Sequence, residues 1–459
     1  MYQKLIKITF LLVTLTLFGC TQAADPTPAA TAVTPATEPA TAVPQPTETL
    51  TVDNSPASEA TPTPTATTAS NAAITLANTA TNTPIPTATL IPTPTATATE
   101  TPTPAPTANL EPITGVAQPP YAASICSDKY PCNDDIAAWE ARIQVPAGFT
   151  ASYFAHLEGN PTSMTFGPDG RLYVAMQAGT IYALDADGRS TVYASGFNTP
   201  TGIAFQPGTN NLFVSSRVRD ENVGGEAQVS IANGPQILSG LPCCYTYLHA
   251  ANGIAFGPDG YGYVSVGGRA DHGEILDGSN QQDERHPLEA AILRFNPNGG
   301  EPEVYARGLR NAYDITWDAN GQLFATDNSP DYGPPERLHR IVPGGEHGYP
   351  WYTCDTCFSP PAGTEIIPPV YEFIPHSSPT GVTVYLAEQF PGYFNSLFVT
   401  LWSAFPGAQK VVRLIPGGTS GSDFAMGFAA PIDVTVAPDG SLYVVDWATG
   451  IIFKISYTG

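Results

Sequence analysis

The chain has 459 residues and a formal net charge of −23, from 18 Lys and Arg against 41 Asp and Glu. That balance argues against a surface that neutralises a phosphate backbone, so nucleic acid is not an expected partner. Length alone predicts about three domains, but the prolines crowd towards the N-terminus and leave the packed core to the rest of the chain.

Taken in order, the chain opens with Lys4 and Lys7 and an apolar run from Ile8 to Phe18. The run is shorter than the roughly 20 residues of a membrane-spanning helix and has the layout of an export signal. Leu17-Phe18-Gly19-Cys20 resembles a bacterial lipobox. The resemblance implies cleavage before Cys20, lipidation of its thiol, and a protein exported and held at the cell surface or in the periplasm. An ordinary signal peptide with an incidental cysteine is the alternative. Residues 21–115 are dominated by Pro, Thr and Ala. Such a segment buries too little apolar area to offset its ordering entropy, so it is expected to be a disordered stalk. Residues 116–459 are expected to form the one folded domain.

Export favours disulfides. Beyond Cys20 the chain has Cys126, Cys132, Cys243, Cys244, Cys354 and Cys357, whose connectivity the sequence does not determine. Proximity suggests Cys126–Cys132 and Cys354–Cys357, with the adjacent Cys243 and Cys244 left over. Zinc is a competing reading of Cys354-Asp-Thr-Cys357, weakened by the lack of a second such pair.

From about residue 140 one unit recurs six times: a bend of small residues, an apolar strand, a turn, and a second strand ending in a polar loop. The units begin at Pro161, Pro200, Asn252, near Arg310, at Pro379 and at Pro431. In the fourth, Asp314–Trp317 and Gln322–Thr326 read as strands around Asp318-Ala319-Asn320-Gly321, whose residue types favour a turn. An all-strand unit at spacings of roughly 40 to 75 residues predicts a six-bladed β-propeller, because a four-stranded blade must stack on neighbours to bury its faces. The stretch Arg142–Tyr153 is expected to complete the last blade, and Ile136–Arg142 to form at most a turn or two of helix. Loops before the first strand of a unit and after the second are the candidates for a shared pocket.

Three groups stand at such places. His249 precedes the third unit, and an imidazole is a natural general base near neutral pH. A packed structural histidine is the plainer reading. Arg310 and Asn311 precede the fourth unit, where a guanidinium would clamp a carboxylate or pair with a neighbouring Asp. Ser329 and Pro330 follow its second strand between Asp327 and Asp331, in a loop of hard oxygen donors suited to Ca²⁺ or forming only a solvated turn.

These motifs in order, GIAFGPDG with its upstream His, AAILRFNPNG, GLRNAYDITWDANGQLFATDN, HRIVPGGEHGYPW and PHSSPTGV, resemble the glucose/sorbosone dehydrogenase family, and within it the sorbosone dehydrogenase-like branch. The resemblance covers roughly residues 145–457. It implies a six-bladed propeller, pyrroloquinoline quinone as cofactor, Ca²⁺ to polarise it, and a small sugar as substrate. The family's base falls on His249, eight residues before Gly257. Its quinone-contacting pair falls on Arg310 and Asn311, and its calcium-binding carbonyls on Ser329 and Pro330. The chain departs from the family where an Asp near the base becomes Gly268, with Asp271 close by. A Lys is missing around Ser403, basic residues are replaced by Ala430 and Ile432, and a Gln by Tyr313. Arg217, Arg219, Arg269 and Lys410 are the candidate substitutes. Two other functions stay open. One is a non-catalytic propeller that binds carbohydrate or another ligand. The other is a calcium-dependent lactonase-like hydrolase using Asp314, Asp327, Asp433 and Asp446.

Overall fold

Six four-stranded antiparallel sheets make up the computed structural model, which describes residues 122–219, 225–244, 248–271, 286–331, 334–351 and 360–459. The expected export signal and stalk, with Cys20, Cys354 and Cys357, lie outside these residues. Blades one to five are consecutive in sequence and span residues 161–195, 198–243, 251–307, 312–373 and 379–426. Blade six takes Pro431–Val436, Leu442–Asp446 and Ile451–Tyr457 from the C-terminus. Its outermost strand is Phe149–His156 from the start of the domain. The sequence places that closing strand a few residues early; only Gln144 in the earlier stretch makes a bridge, to Met426.

Four of the six recurrent turns are Asx turns followed by glycine. Asp169, Asp259, Asp318 and Asp439 accept hydrogen bonds from the backbone two residues on, at 2.8–3.2 Å. Gly170, Gly260, Gly321 and Gly440 adopt φ of 72–80°, which a residue with a Cβ resists. The first strands of neighbouring blades contact one another and therefore surround the axis. Second strands such as Leu172–Met176, Leu323–Asp327 and Leu442–Asp446 are buried at every residue. These strands show no alternation of buried and exposed residues, because a blade covered on both sides has no solvent face.

Buried polar bonds cross all six seams between blades. Thr162 donates to the Pro200 carbonyl, and Thr201 to that of Ala251. The Asn252 amide donates to the Asn311 side chain and the Ala312 carbonyl. Thr326 donates to the Thr380 carbonyl, while Asp314 accepts the Val382 N–H. Thr400 donates to the Ile432 carbonyl, and Asp433 accepts the Met164 N–H to close the ring. Burial raises the pKa of Asp314 to about 7, and it raises that of Asp433 too, with the neighbouring Asp314 charge acting in the same direction.

Before the closing strand, the helix Ile136–Arg142 is capped by Asp135 and buries Trp139 against Tyr130. Cys126 and Cys132 are bonded, as expected from their spacing. Cys243 and Cys244, left over in the sequence reading, are bonded to each other.

Phe149 anchors the closing strand, with its ring 4.8–5.4 Å from those of Phe390, Tyr393, Phe424 and Tyr457. Phe149→Ala is expected to cost about 3 kcal/mol, read as a lower urea midpoint. An unchanged midpoint would show that closure does not depend on this aromatic cluster.

Candidate active site

Loops from five blades surround a cavity of about 580 Å³, within the range of small-ligand pockets. Its lining residues lie before first strands, at their start, or beyond second strands, as the unit pattern predicts. His249, Arg310, Asn311 and Ser329 all line it. Pro330 is buried next to Ser329 but is not part of the wall.

His249 is 6 % exposed, and its Nδ1 lies 3.3 Å from the Gly268 carbonyl. A carbonyl oxygen only accepts, so this contact puts the ring proton on Nδ1 and the basic lone pair on Nε2. Burial holds the His249 pKa well below its usual value, and the Arg310 charge lowers it further. The imidazole is therefore neutral at physiological pH.

Arg310 and Asn311 are fixed from behind by Asp327, which is fully buried and accepts their backbone N–H groups at 3.2 and 2.8 Å. The Arg310 guanidinium donates through Nε to the Asp271 carbonyl at 3.0 Å, through Nη1 to the Asn328 carbonyl at 3.1 Å, and through Nη2 to Asp271 Oδ1. Asp271 thus serves the arginine from a different blade, a role its sequence position alone does not reveal.

The Ser329 N–H donates to Glu336 at 2.6 Å and its hydroxyl to the Pro335 carbonyl at 2.7 Å. Burial raises the Glu336 pKa to about 8, so this carboxyl is mainly protonated at pH 7. Among the described residues no three His, Cys, Asp or Glu side chains converge as a metal cluster. A cation here would rely on backbone carbonyls, which are suitable hard ligands for Ca²⁺.

The remaining wall belongs to blades five, six and one. Trp402 and Trp447 meet edge to face at 5.5 Å. Trp447 donates to Gln177 at 3.1 Å, and Asn160 donates to the Trp447 carbonyl at 2.8 Å. The Trp402 indole N–H is buried without an acceptor among the described residues. No sequence motif pointed to these four side chains; their positions in the blade pattern were the available signal. Asp314, Asp327, Asp433 and Asp446, the candidates for lactonase chemistry, do not line the cavity. Each instead accepts backbone N–H bonds.

A family profile described as glucose/sorbosone dehydrogenase matches residues 158–454. The chain belongs to the glucose/sorbosone dehydrogenase family. An uncharacterised protein of Borreliella burgdorferi is 25 % identical over 366 residues, covering 70 % of this chain and 93 % of its own length. Quinoprotein glucose dehydrogenase B of Acinetobacter calcoaceticus is 22 % identical over 243 residues, covering 41 % of this chain and 50 % of its own length. The pyrroloquinoline quinone-bound aldose sugar dehydrogenase of Streptomyces coelicolor shares the fold, with TM-score 0.53 and 21 % identity, covering 68 % of this chain and 99 % of its own.

His249, Arg310 and Asn311 put an imidazole, a guanidinium and an amide on one side of the cavity, groups that suit the oxygens of such a cofactor. Opposite that side the wall has indoles and amides instead of cations. Ser403 bonds to the His376 carbonyl, while Ala430 and Ile432 are buried in the fold. Arg269, Arg219 and Lys410 pair with Glu289, Glu226 and Asp423. Neither they nor the buried Arg217 line the cavity.

Gly268 is tightly enclosed: a Cβ there would lie 3.1 Å from Tyr349 Cε1 and 3.2 Å from the Arg310 carbonyl oxygen. Gly268→Asp, the family's residue at this place, is expected to destabilise the fold by about 1–3 kcal/mol through overpacking. Urea unfolding checks this, and a stability equal to wild type would show that the loop yields freely.

Proposed function

We propose that this propeller is a quinone-dependent oxidoreductase that oxidises a sugar or aldose-like alcohol, and that it lies on the sorbosone dehydrogenase-like branch. The observation that carries the proposal is the neutral His249, with its basic nitrogen defined by the Gly268 contact, on the same cavity as Arg310 and Asn311. Pyrroloquinoline quinone, when bound, supplies the two-electron acceptor that amino-acid side chains lack. Arg310 and Asn311 would hold its oxygen edge, with Ca²⁺ bound near the Ser329 and Pro330 carbonyls.

His249 Nε2 would accept the proton of the sugar hydroxyl, and the hydride from the adjacent carbon would need the bound two-electron acceptor to receive it. The low basicity of His249 keeps it ready to accept that proton at neutral pH. Asp327 holds the backbone of Arg310 and Asn311, limiting the reorganisation needed at the reacting end. Leu248, Trp402 and Trp447 line the cavity and supply apolar surface that reduces access of bulk water. The same proposal places the protein outside the cytoplasm, lipid-anchored through Cys20. The basic and apolar start of the chain supports this, as does the Cys126–Cys132 disulfide.

Titration of pyrroloquinoline quinone into the full chain, with and without Ca²⁺, tests the proposal. Calcium-dependent micromolar binding is expected, weakened about tenfold or more in Arg310→Gln by loss of a charge-assisted bond. His249→Ala is expected to keep quinone binding and lower dye-linked sugar oxidation by about 10²- to 10⁴-fold. No quinone binding in the presence of calcium would sink the oxidoreductase reading. Full oxidation by His249→Ala would remove the base assignment.

A further inference from the structure

We infer that Asp271 is a positioning carboxylate which acts on the site through Arg310. The inference rests on the functional reading above for its consequence, though not for its geometry.

The segment from Gly268 to Asp271 does two jobs. At its start, the Gly268 carbonyl faces His249 Nδ1, while the Gly268 N–H donates to the Arg310 carbonyl at 2.6 Å. At its end, Asp271 binds the Arg310 guanidinium through both its backbone carbonyl and its Oδ1. Asp271 Oδ1 also accepts the Asp331 N–H at 3.1 Å. Asp271 and Arg310 are 8 % and 4 % exposed, so water screens little of the charge pair.

The Tyr349 ring is against the space that a Gly268 side chain would enter, and its hydroxyl donates to the Ala270 carbonyl at 2.9 Å. The Tyr349 contact thus braces the segment that delivers Asp271. A carboxylate beside the imidazole would strengthen the base directly. Asp271 instead balances the cation beside the imidazole and orients the guanidinium that lines the cavity. The charged groups acting on His249 are Arg310, Asp271 and Arg217. Losing Asp271 would leave the two arginines less balanced, making the protonated imidazole less favourable and its titration more acidic.

The test is a double-mutant cycle in the full chain: wild type, Asp271→Asn, Arg310→Gln and the double variant. One readout is the side-chain nitrogen shifts of His249 without ligand. The other is affinity for pyrroloquinoline quinone with Ca²⁺. Asp271→Asn is expected to lower quinone affinity about tenfold or more. In the Arg310→Gln background it should change affinity by no more than about twofold. Its effect on the His249 shifts should also disappear in that background. Additive effects on the His249 shifts would overturn the inference, because Asp271 would then act independently of Arg310. If no variant binds quinone but the shifts are non-additive, the cofactor proposal fails and the positioning role stands. If Asp271→Asn does not fold, Asp271→Glu retains the charge on a longer arm. Lower quinone affinity together with shifted His249 signals is then expected, and wild-type values for both would overturn the inference.

Discussion

The structure depends on polar bonds buried between its blades. The first strand of each blade is paired on only one side, and its other edge faces the channel. Backbone groups left there without partners would be costly. Thr162, Thr201, Asn252, Thr326, Thr400 and the carboxyls of Asp314 and Asp433 carry those bonds across the seams. Apolar stacking holds blades together without fixing their relative height, because it has little directional preference. The directional bonds set the height and bring loops from different blades to one cavity.

The site inherits this arrangement. Asn252 crosses from blade three to Asn311 and Ala312 at the start of blade four. His249 and Arg310 lie just upstream of those strands, so one seam fixes imidazole and guanidinium relative to each other. Asp327 adds a constraint within blade four by holding the Arg310–Asn311 backbone. Asp446 does the corresponding work in blade six for Ala429 and Ala430. The repeated carboxyl at the end of the second strand is thus a structural element, with one copy holding residues that line the cavity.

Much of the fold was legible because its signals are local. Asp169, Asp259, Asp318 and Asp439 form turns through their own following residues, so the turn residues expose the blade repeat. The closing strand was harder to bound, because Phe149–His156 pairs with Ile451–Tyr457 from the far end of the chain. The full burial of Leu323–Asp327 also depends on neighbouring blades. Among site residues, His249, Arg310 and Ser329 were legible from motif order. Asp271 was not, because its partner is 39 residues away and reached only after the blades assemble. Trp402 and Trp447 likewise meet only once blade five packs on blade six.

The charges around this cavity are largely balanced or absent. Arg310 is paired with Asp271, and burial raises the Glu336 pKa to about 8, so much of the local charge is neutralised. On the other wall, the Trp447 indole N–H donates to the Gln177 side-chain amide oxygen, while the Trp402 indole N–H is buried without an acceptor among the described residues. Adding a lysine at Ser403 alone would not recreate a cationic cradle. Its side chain would start from a buried position whose serine hydroxyl is already engaged by the His376 carbonyl. The wall of Asn160, Gln177, Trp402 and Trp447 therefore offers a ligand neutral hydrogen-bonding groups and indole surface instead of side-chain cations.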